Sequence, residues 1–548
     1  MSAAVVKQLA AALICAQTFV ILGGAVGSGS VLFAQETSAL AHDEPPAAGS
    51  NASRLSVTQI TWIVSSFTFG NIPGTLASIW LSPRVGAPRL LLAALPLALT
   101  GAAMVGLGPT FAWTLAGRLL VGLYFGVVEG PARAYVGEVT GREVRGLIGN
   151  ILNTVTPVCI VVVLGLGSRL PWRTIEFALE TTAAVVQACG LLFLPRSPKW
   201  LLAHGHSREE AEESLRFFHG PEFDIKQGVR DIEGSLAHAH QPSSGVLRGL
   251  GLVFGRWENL HPTLLLLVQF FCMVFSGGLG VAQFAPTVFQ LTGQDVNPFY
   301  SSVYVTAAMS LAFLLSGPLL ERCSRVLLLQ VAGLLGLAGC SAIGAYFWQA
   351  AADGSSGGQH AWLVLAGALA TVLSYGAGIA PVSFTYLVEL LPNSTRAITI
   401  NMVLLYFSLV QFCAVHFFPA MERGLGNHGT FWLFAAVNAL QVLLATFALP
   451  ETRGLSLEEI QHKFFAARRR SSAGGQKGEQ PIVNSSEDVE RGQVNAAAEL
   501  SDEDTAREDG RRTESQRSEP APQTAEELER RRSSGSVLDA VYPAGCFV

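Results

Sequence analysis

Twelve stretches of the chain stay apolar for about the twenty residues that a helix needs to cross a hydrocarbon layer. They are 9–33, 57–81, 89–108, 111–136, 147–167, 174–194, 262–291, 300–320, 326–349, 361–388, 397–420 and 430–449. Each predicts a spanning helix, because in lipid a helix satisfies its own backbone one segment at a time. The runs fall into two blocks of six, within 1–195 and 257–465, divided by a polar interruption at 196–256. In that interruption SREEAEESLRFFHG sets Leu215, Phe217 and Phe218 among acids and bases, which predicts one or two amphipathic helices. From 466 to 548 the chain is rich in Ser, Glu, Arg, Gln and Pro without a sustained apolar period, and it reads as a disordered tail. The expected class is an all-α membrane protein: twelve transmembrane helices in two six-helix halves, with cytoplasmic amphipathic helices between them.

Composition agrees. Half of the 548 residues are hydrophobic and 14% are charged, where a soluble chain carries about a quarter charged. The net charge of −5 says little, because the charges gather in 196–235 and after Glu451. No basic face with interleaved aromatics supports nucleic-acid binding. No catalytic constellation and no Cys/His ligand spacing is present, so neither an enzyme nor a metal or other cofactor is expected. The eight cysteines read as small buried apolar residues. The run 9–33 has only Lys7 before it and is too long for a signal peptide, so it reads as a retained first span.

Short-loop charge sets the orientation. Arg84 and Arg89, Arg142 and Arg145, the 196–235 segment, Arg322 and Arg325, Arg396, and Arg453 with Lys463 fall on one side, which belongs in the cytoplasm. Twelve spans then place both termini inside. The sequon at Asn51 lies in the first outer loop and is a glycosylation candidate, whereas those at Asn393 and Asn484 fall inside.

One charge pair is written twice. GEVTGREVRG (137–146) separates Glu138 from Arg145 by seven residues, and VELLPNSTRA (388–397) separates Glu389 from Arg396 by the same. The offsets agree, since 389 − 138 and 396 − 145 both give 251. Two further echoes accompany them: Arg84 with Arg322 (322 − 84 = 238), and LPRSPKWLL from Leu194 with LPETRGLSLEEI from Leu449 (449 − 194 = 255). These sit at equivalent ends of spans two and eight, four and ten, six and twelve. Two six-span halves in parallel register are the layout of major facilitator transporters.

At these residues the chain resembles the sugar porters of the major facilitator superfamily, near the facilitative glucose and trehalose transporters. GRLLVGLYFG (117–126) with YVGEVTGREVRG (135–146), LPRSPKWLL and LPETRGLSLEEI carry the resemblance, which covers about 55–465. The first half departs at Pro83-Arg84-Val85-Gly86-Ala87-Pro88, where the family's acid and last two arginines are missing. Alternating access about a midplane site implies a cytoplasmic gate. Arg84, Glu138 and Arg145 are expected to form its charge network, with Glu321, Arg322, Glu389 and Arg396 as counterpart and Arg196 with Glu451 joining across the halves.

The resemblance places the substrate cavity at Asn153 on span five, at Ser276 and Gly277 on span seven, and at Phe384 on span ten, where relatives carry Trp. Met273, Val274, Leu279 and Phe407 replace polar residues that relatives use to hold a sugar. Gln269 and Gln283, one turn to either side on span seven, are candidates to restore hydrogen bonding. Proton-driven relatives pair an Asp on span one with an Arg on span four; Arg118 is present, but 9–33 holds no acid, which points to uniport. Glu129 and Arg133 are intramembrane charges at i,i+4 and read as neutralising one another. The function expected is facilitated uniport of a hexose or disaccharide across the plasma membrane. The alternatives are a non-transporting nutrient sensor and a proton-coupled or non-sugar solute carrier. The expected partners are a sugar or polyol, the bilayer, and cytoplasmic proteins on the tail.

Overall fold

A computed structural model of the chain describes residues 3–41, 55–141, 144–220, 223–239, 246–290, 298–353, 360–392 and 395–453. Asn51 and the tail after 466 lie outside them.

The first half holds α1 (Ala3–Ala41), α2 (Val57–Val85), α3 (Ala87–Leu107), α4 (Phe111–Val139), α5 (Arg145–Gly167) and α6 (Trp172–Leu191). The 196–256 interruption folds into α7 (Pro198–Ala203), α8 (Arg208–His219), α9 (Ile225–Ala239) and α10 (Val246–Gly255), four short helices where the sequence suggested one or two. The second half holds α11 (Trp257–Phe275), α12 (Gly278–Gln290), α13 (Pro298–Arg322), α14 (Arg325–Asp353), α15 (Trp362–Ser374), α16 (Ala380–Glu389) and α17 (Arg396–Phe447). A π-helical turn, Tyr375–Ile379, joins α15 to α16.

Among the described residues nine helical segments are long and apolar enough to cross a membrane. α2, rich in Ser and Thr, and α6, which carries Arg173, Glu176 and Glu180, are not among them. Three expected spans change shape. The run 262–291 breaks into α11 and α12 at Gly277, whose φ of +87° favours a residue without Cβ. The runs 397–420 and 430–449 join in α17, bent at Gly426 with φ 71° and ψ 167°.

Local chemistry accounts for the helix starts. Ser56 and Gln59 close a capping box on α2, each side chain bonding the other's backbone N–H. Ser207 caps α8, with Glu209 and Glu210 in its first turn and Arg216 and His219 in its last, as the helix dipole favours. Ala211, Ser214, Leu215 and Phe218 are its buried face, and Gln8 at the start of α1 donates to Phe218 O.

Inside each half, helices meet through small residues. A Cβ on Gly122 of α4 would stand 2.0 Å from Phe67 O of α2, and one on Gly70 of α2 would stand 2.3 Å from Leu119 O of α4. Such close backbone approach is the means by which helices associate where no hydrophobic effect drives them. Gly101 of α3 and Gly117 of α4 face each other in the same way, and so do Gly339 of α14 and Gly367 of α15. The equivalent helices of the two halves therefore share one packing device.

The halves touch along α2 and α17, where Asn71 Nδ2 donates to Ser408 Oγ at 3.3 Å, and along α5 and α13, where Asn150 Nδ2 donates to Phe313 O at 3.0 Å. At the end of the bundle where α1 finishes, Phe33 meets Phe284 of α12 edge-on with centroids 5.3 Å apart. Cys15, Cys159, Cys272 and Cys340 are buried as expected, whereas Cys189 is on the bundle surface. That surface is apolar in a spanning helix, so the same side chain is suited to either place.

Candidate functional site

The centre of the bundle is built on a charge. Arg133 and Phe384 each lie five residues before the repeated acid, Glu138 and Glu389, so they are counterparts under the duplication. Residues related by a pseudo-twofold axis meet when they lie close to it, and these two do: the Arg133 guanidinium stands 5.8 Å from the Phe384 ring centroid. The guanidinium also lies 4.4 Å from the ring of Phe19 on α1. Arg133 Nη1 donates to Asn153 Oδ1 of α5 at 2.7 Å, and Nη2 pairs with Glu129 Oε1 at 3.4 Å. Since a guanidinium only donates, the Asn153 amide is fixed with its oxygen inward. The Arg133 and Glu129 side chains keep 33% and 22% of their surface accessible, although four helices surround them. Asn153, Phe384, Glu129 and Arg133, separate candidates in the sequence, thus form one site.

A second charge cluster was missed. Arg118 is buried, and its Nη2 meets Glu176 Oε2 of α6 at 2.5 Å. Ser28 of α1 donates to the same carboxylate at 2.8 Å and accepts from Arg118 at 2.9 Å. Span one supplies this hydroxyl and the Ala25 carbonyl, while the acid comes from span six. Glu180, one turn on, is fully buried, and neither of its carboxyl oxygens has a hydrogen-bond partner among the described residues. Two acids in the expected span 174–194 were the available signal.

The motif end of the bundle repeats its bonds as well as its letters. Tyr135 OH donates to Pro195 O at 2.6 Å, and its counterpart Tyr386 donates to Pro450 O at 3.0 Å. Ser197 Oγ donates to Glu138 at 2.5 Å, and Thr452 Oγ1 donates to Glu389 at 2.5 Å. In each half the last turn of the fourth span is thereby clamped to the segment after the sixth. The second half adds charge: Arg325 Nη2 meets Glu389 Oε1 at 3.3 Å. The first half has Ala87 at the corresponding position, since 325 − 87 = 238, and so lacks that guanidinium.

A model of the family described as sugar (and other) transporter matches residues 10–464. The chain belongs to this transporter family. A facilitated trehalose transporter of Drosophila simulans is 25% identical over 425 residues, 77% of this chain and 49% of that protein. Another, of Bombyx mori, is 26% identical over 417 residues, 75% of this chain and 80% of that protein. The chain spans about half the length of the first of these. Among solved structures, a proton:xylose symporter, XylE, bound to 6-bromo-6-deoxy-D-glucose, superposes with a TM-score of 0.65 at 21% identity, covering 84% of this chain and 99% of that one. The inward-open xylose transporter from E. coli gives 0.65 at 20% identity over 82% and 98%. These two show the major facilitator fold.

The remaining expected residues of this transporter-family chain divide. Gln269 does not line the central site: it is fully buried inside the second half, donating to Ser383 at 2.8 Å and accepting from Gln441 at 2.9 Å. Helical spacing from Met273 placed it on the right stripe, but α11 turns that stripe toward α16 and α17. Ser276 bonds back to Met273 O, and Gly277 makes the break between α11 and α12. Gln283 borders a void of about 20 Å³ with Phe284, Phe418 and Phe434.

Among the gate candidates, Glu389 pairs with Arg325 rather than with Arg322; Arg322 and Glu321 are exposed. Arg84 donates to Trp80 O and lies over the Trp80 ring, and Arg396 donates to Leu391 O. Arg196 stacks on Trp200 and contacts His206, both within the 196–256 segment, and not Glu451. Arg145 opens α5, and its side chain lies outside the described residues. Among the described residues no ion pair joins one half to the other.

Glu451 instead caps α14. It accepts from the Ser324 hydroxyl and from the backbone N–H of Arg325 at 3.2 Å and Val326 at 3.3 Å, where the helix dipole favours an anion. Partial burial pushes its carboxyl up, but these bonds and the Arg453 N–H outweigh that and hold it below the usual carboxylate range. A lowered folded-state value means that its stabilisation is complete above the ordinary 4.5 and is lost as pH falls through the lowered value. Glu451→Gln is expected to destabilise by about 1 kcal/mol at neutral pH. Thermal melts in detergent check this: the gap between wild type and variant closes as pH drops below 4.5.

Proposed function

We propose that the chain carries a hydroxylated solute of hexose or disaccharide size across the plasma membrane by alternating access, as two six-span halves with both termini in the cytoplasm. The observation that carries the reading is the duplicated clamp of Tyr135, Ser197 and Glu138 in one half and Tyr386, Thr452 and Glu389 in the other. Each clamp ties the fourth span of its half to the segment after the sixth, while the contacts between halves are lateral or lie at the opposite end. With the Arg-rich loops inside, that opposite end faces outward, closed by Phe33 against Phe284. The ring of Arg133, Phe19, Asn153 and Phe384 is then the midplane station about which the halves rock. The gate charges pair across the halves only in the other conformation. Each such pair is worth about 1 kcal/mol when wet, which suits a gate that opens thermally. The trehalose and xylose named in the relatives support a sugar as substrate. A sensor role would run through the tail after 466, outside the described residues.

Uniport is the primary reading of the energetics. A proton-coupled reading stands beside it on one observation, the buried Glu180 carboxyl beside the Arg118–Glu176 pair. In reconstituted vesicles, labelled glucose, trehalose or xylose is expected to enter saturably down its gradient and to do so unchanged when an uncoupler collapses the proton gradient at clamped voltage. Uphill accumulation on an imposed proton gradient, lost in Glu180→Gln, would establish the second reading instead.

A further inference from the structure

The centre of the bundle holds a cation where a neutral sugar needs none. Hydroxyls are read by uncharged donors and acceptors, and this chain has few at its centre: Met273 and Val274 are buried apolar residues, Gln269 is bonded away inside the second half, and Phe407 packs on Phe384. Arg133 remains partly accessible. Its donors are only partly used. Nη1 gives one bond to Asn153, Nη2 makes a 3.4 Å contact with Glu129, and Nε is buried with no partner among the described residues. The rings of Phe19 and Phe384 both border the planar group, so little of its freedom is left to lose when a ligand binds. A fixed guanidinium whose two Nη groups each keep a second N–H is matched by a carboxylate, which it binds with two charge-assisted bonds.

We infer that Arg133 is the specificity-determining residue of the central site, and that it selects a solute carrying both hydroxyls and a carboxylate, a sugar acid of the hexuronate or aldonate class. The inference rests on the carrier reading above for its placement of Arg133 on the substrate's path. Glu129 is the resident counter-ion. It keeps the empty site from holding a bare charge, which is costly at membrane depth. At 3.4 Å its hold is loose, and an incoming carboxylate displaces it from the guanidinium. The same competition favours release, because Glu129 returns as the solute leaves. Asn153, oriented with its oxygen toward Arg133, turns its amide N–H groups to the remaining space as donors for a hydroxyl. An ion pair kept purely for structure would serve neutral and acidic solutes alike; a specificity pair separates them.

The test is equilibrium binding of D-glucuronate and D-glucose to the purified full-length protein, together with uptake of both into vesicles. Glucuronate is expected to bind at least tenfold more tightly than glucose. Arg133→Gln should remove that preference, and Arg133→Lys should keep part of it. Glu129→Gln should tighten glucuronate several-fold relative to glucose. The opposite signs of Arg133→Gln and Glu129→Gln are the signature, since loss of a structural pair weakens both ligands together. If Arg133→Gln does not elute as folded protein, the Glu129→Gln and Arg133→Lys results decide. Equal binding of the two ligands, equal shifts in both variants, or no glucuronate binding overturns the inference. Glucose uptake without glucuronate binding overturns it and leaves the carrier reading standing. Glucuronate binding without uptake of either solute leaves the site assignment standing and removes the carrier reading.

Discussion

Replacing Arg118 by methionine should leave little folded protein. Arg118 is 1% exposed and pairs with Glu176, which is fully buried, and Glu180 lies one turn away with carboxyl oxygens that have no hydrogen-bond partner among the described residues. Taking away one member of a buried pair strands the other without compensation, at a cost of about 3–5 kcal/mol. That is a large part of the 5–15 kcal/mol or so by which whole proteins are stable. Here a second carboxyl adds to the penalty, and the Ala25 carbonyl and Ser28 hydroxyl lose their donor. Fluorescence-detected size exclusion should show a collapsed monodisperse peak for Arg118→Met. Arg118→Met with Glu176→Gln should recover most of it, since no bare carboxylate remains at that position. If the single variant melts within a few degrees of wild type, the cluster contributes little and its charges are screened by water.

The second large effect belongs to Gly122. Its Cβ would lie 2.0 Å from a main-chain oxygen, a distance no rotamer change relieves, so α2 and α4 must separate along their length. Overpacking that a side chain can absorb costs about 1–3 kcal/mol; backbone against backbone is costlier. Gly122→Val is therefore expected to abolish expression of folded protein, and Gly122→Ala to lower the melting temperature by several degrees or more. Gly137, also on α4, has nothing within 4 Å of its would-be Cβ and serves as control: Gly137→Ala should melt like wild type or slightly higher. A tolerated Gly122→Val would show that α2 and α4 can part without loss of the fold.

How much of this could be read beforehand depended on the kind of signal. Apolar runs are long, and averaging over twenty residues finds them whatever the details, so each expected run overlaps a helix. The same averaging hid Glu176 and Glu180, because two acids in an apolar run scarcely move a mean. Their role needed the third dimension: nothing in the letters says that α6 faces Arg118. Gln269 shows the reverse failure. A helical stripe is legible from spacing, but which neighbour it faces is not, and α11 turns it into its own half. The clamps were legible as a duplicated charge pair, yet their bonds run through Tyr135, Ser197, Tyr386 and Thr452, uncharged residues that a search for acid–base partners passes over. GNIPG in α2 and GLYFG in α4 carry the small-residue spacing that packs those helices, and it stands in the sequence in plain view.

The π-helical turn at Tyr375–Ile379 has a history written into it. Before the turn the halves match with one offset, since 367 − 117 gives 250 for the packed glycines; after it they match with another, since 386 − 135 gives 251 for the clamping tyrosines. The second copy is therefore one residue longer between those points. In a continuous α-helix such an extra residue would rotate everything downstream by about 100° and carry Phe384, Tyr386 and Glu389 off the faces their counterparts use. The widened turn confines the slip to five residues, and the twin halves kept their symmetry at both ends of a helix that no longer has equal length.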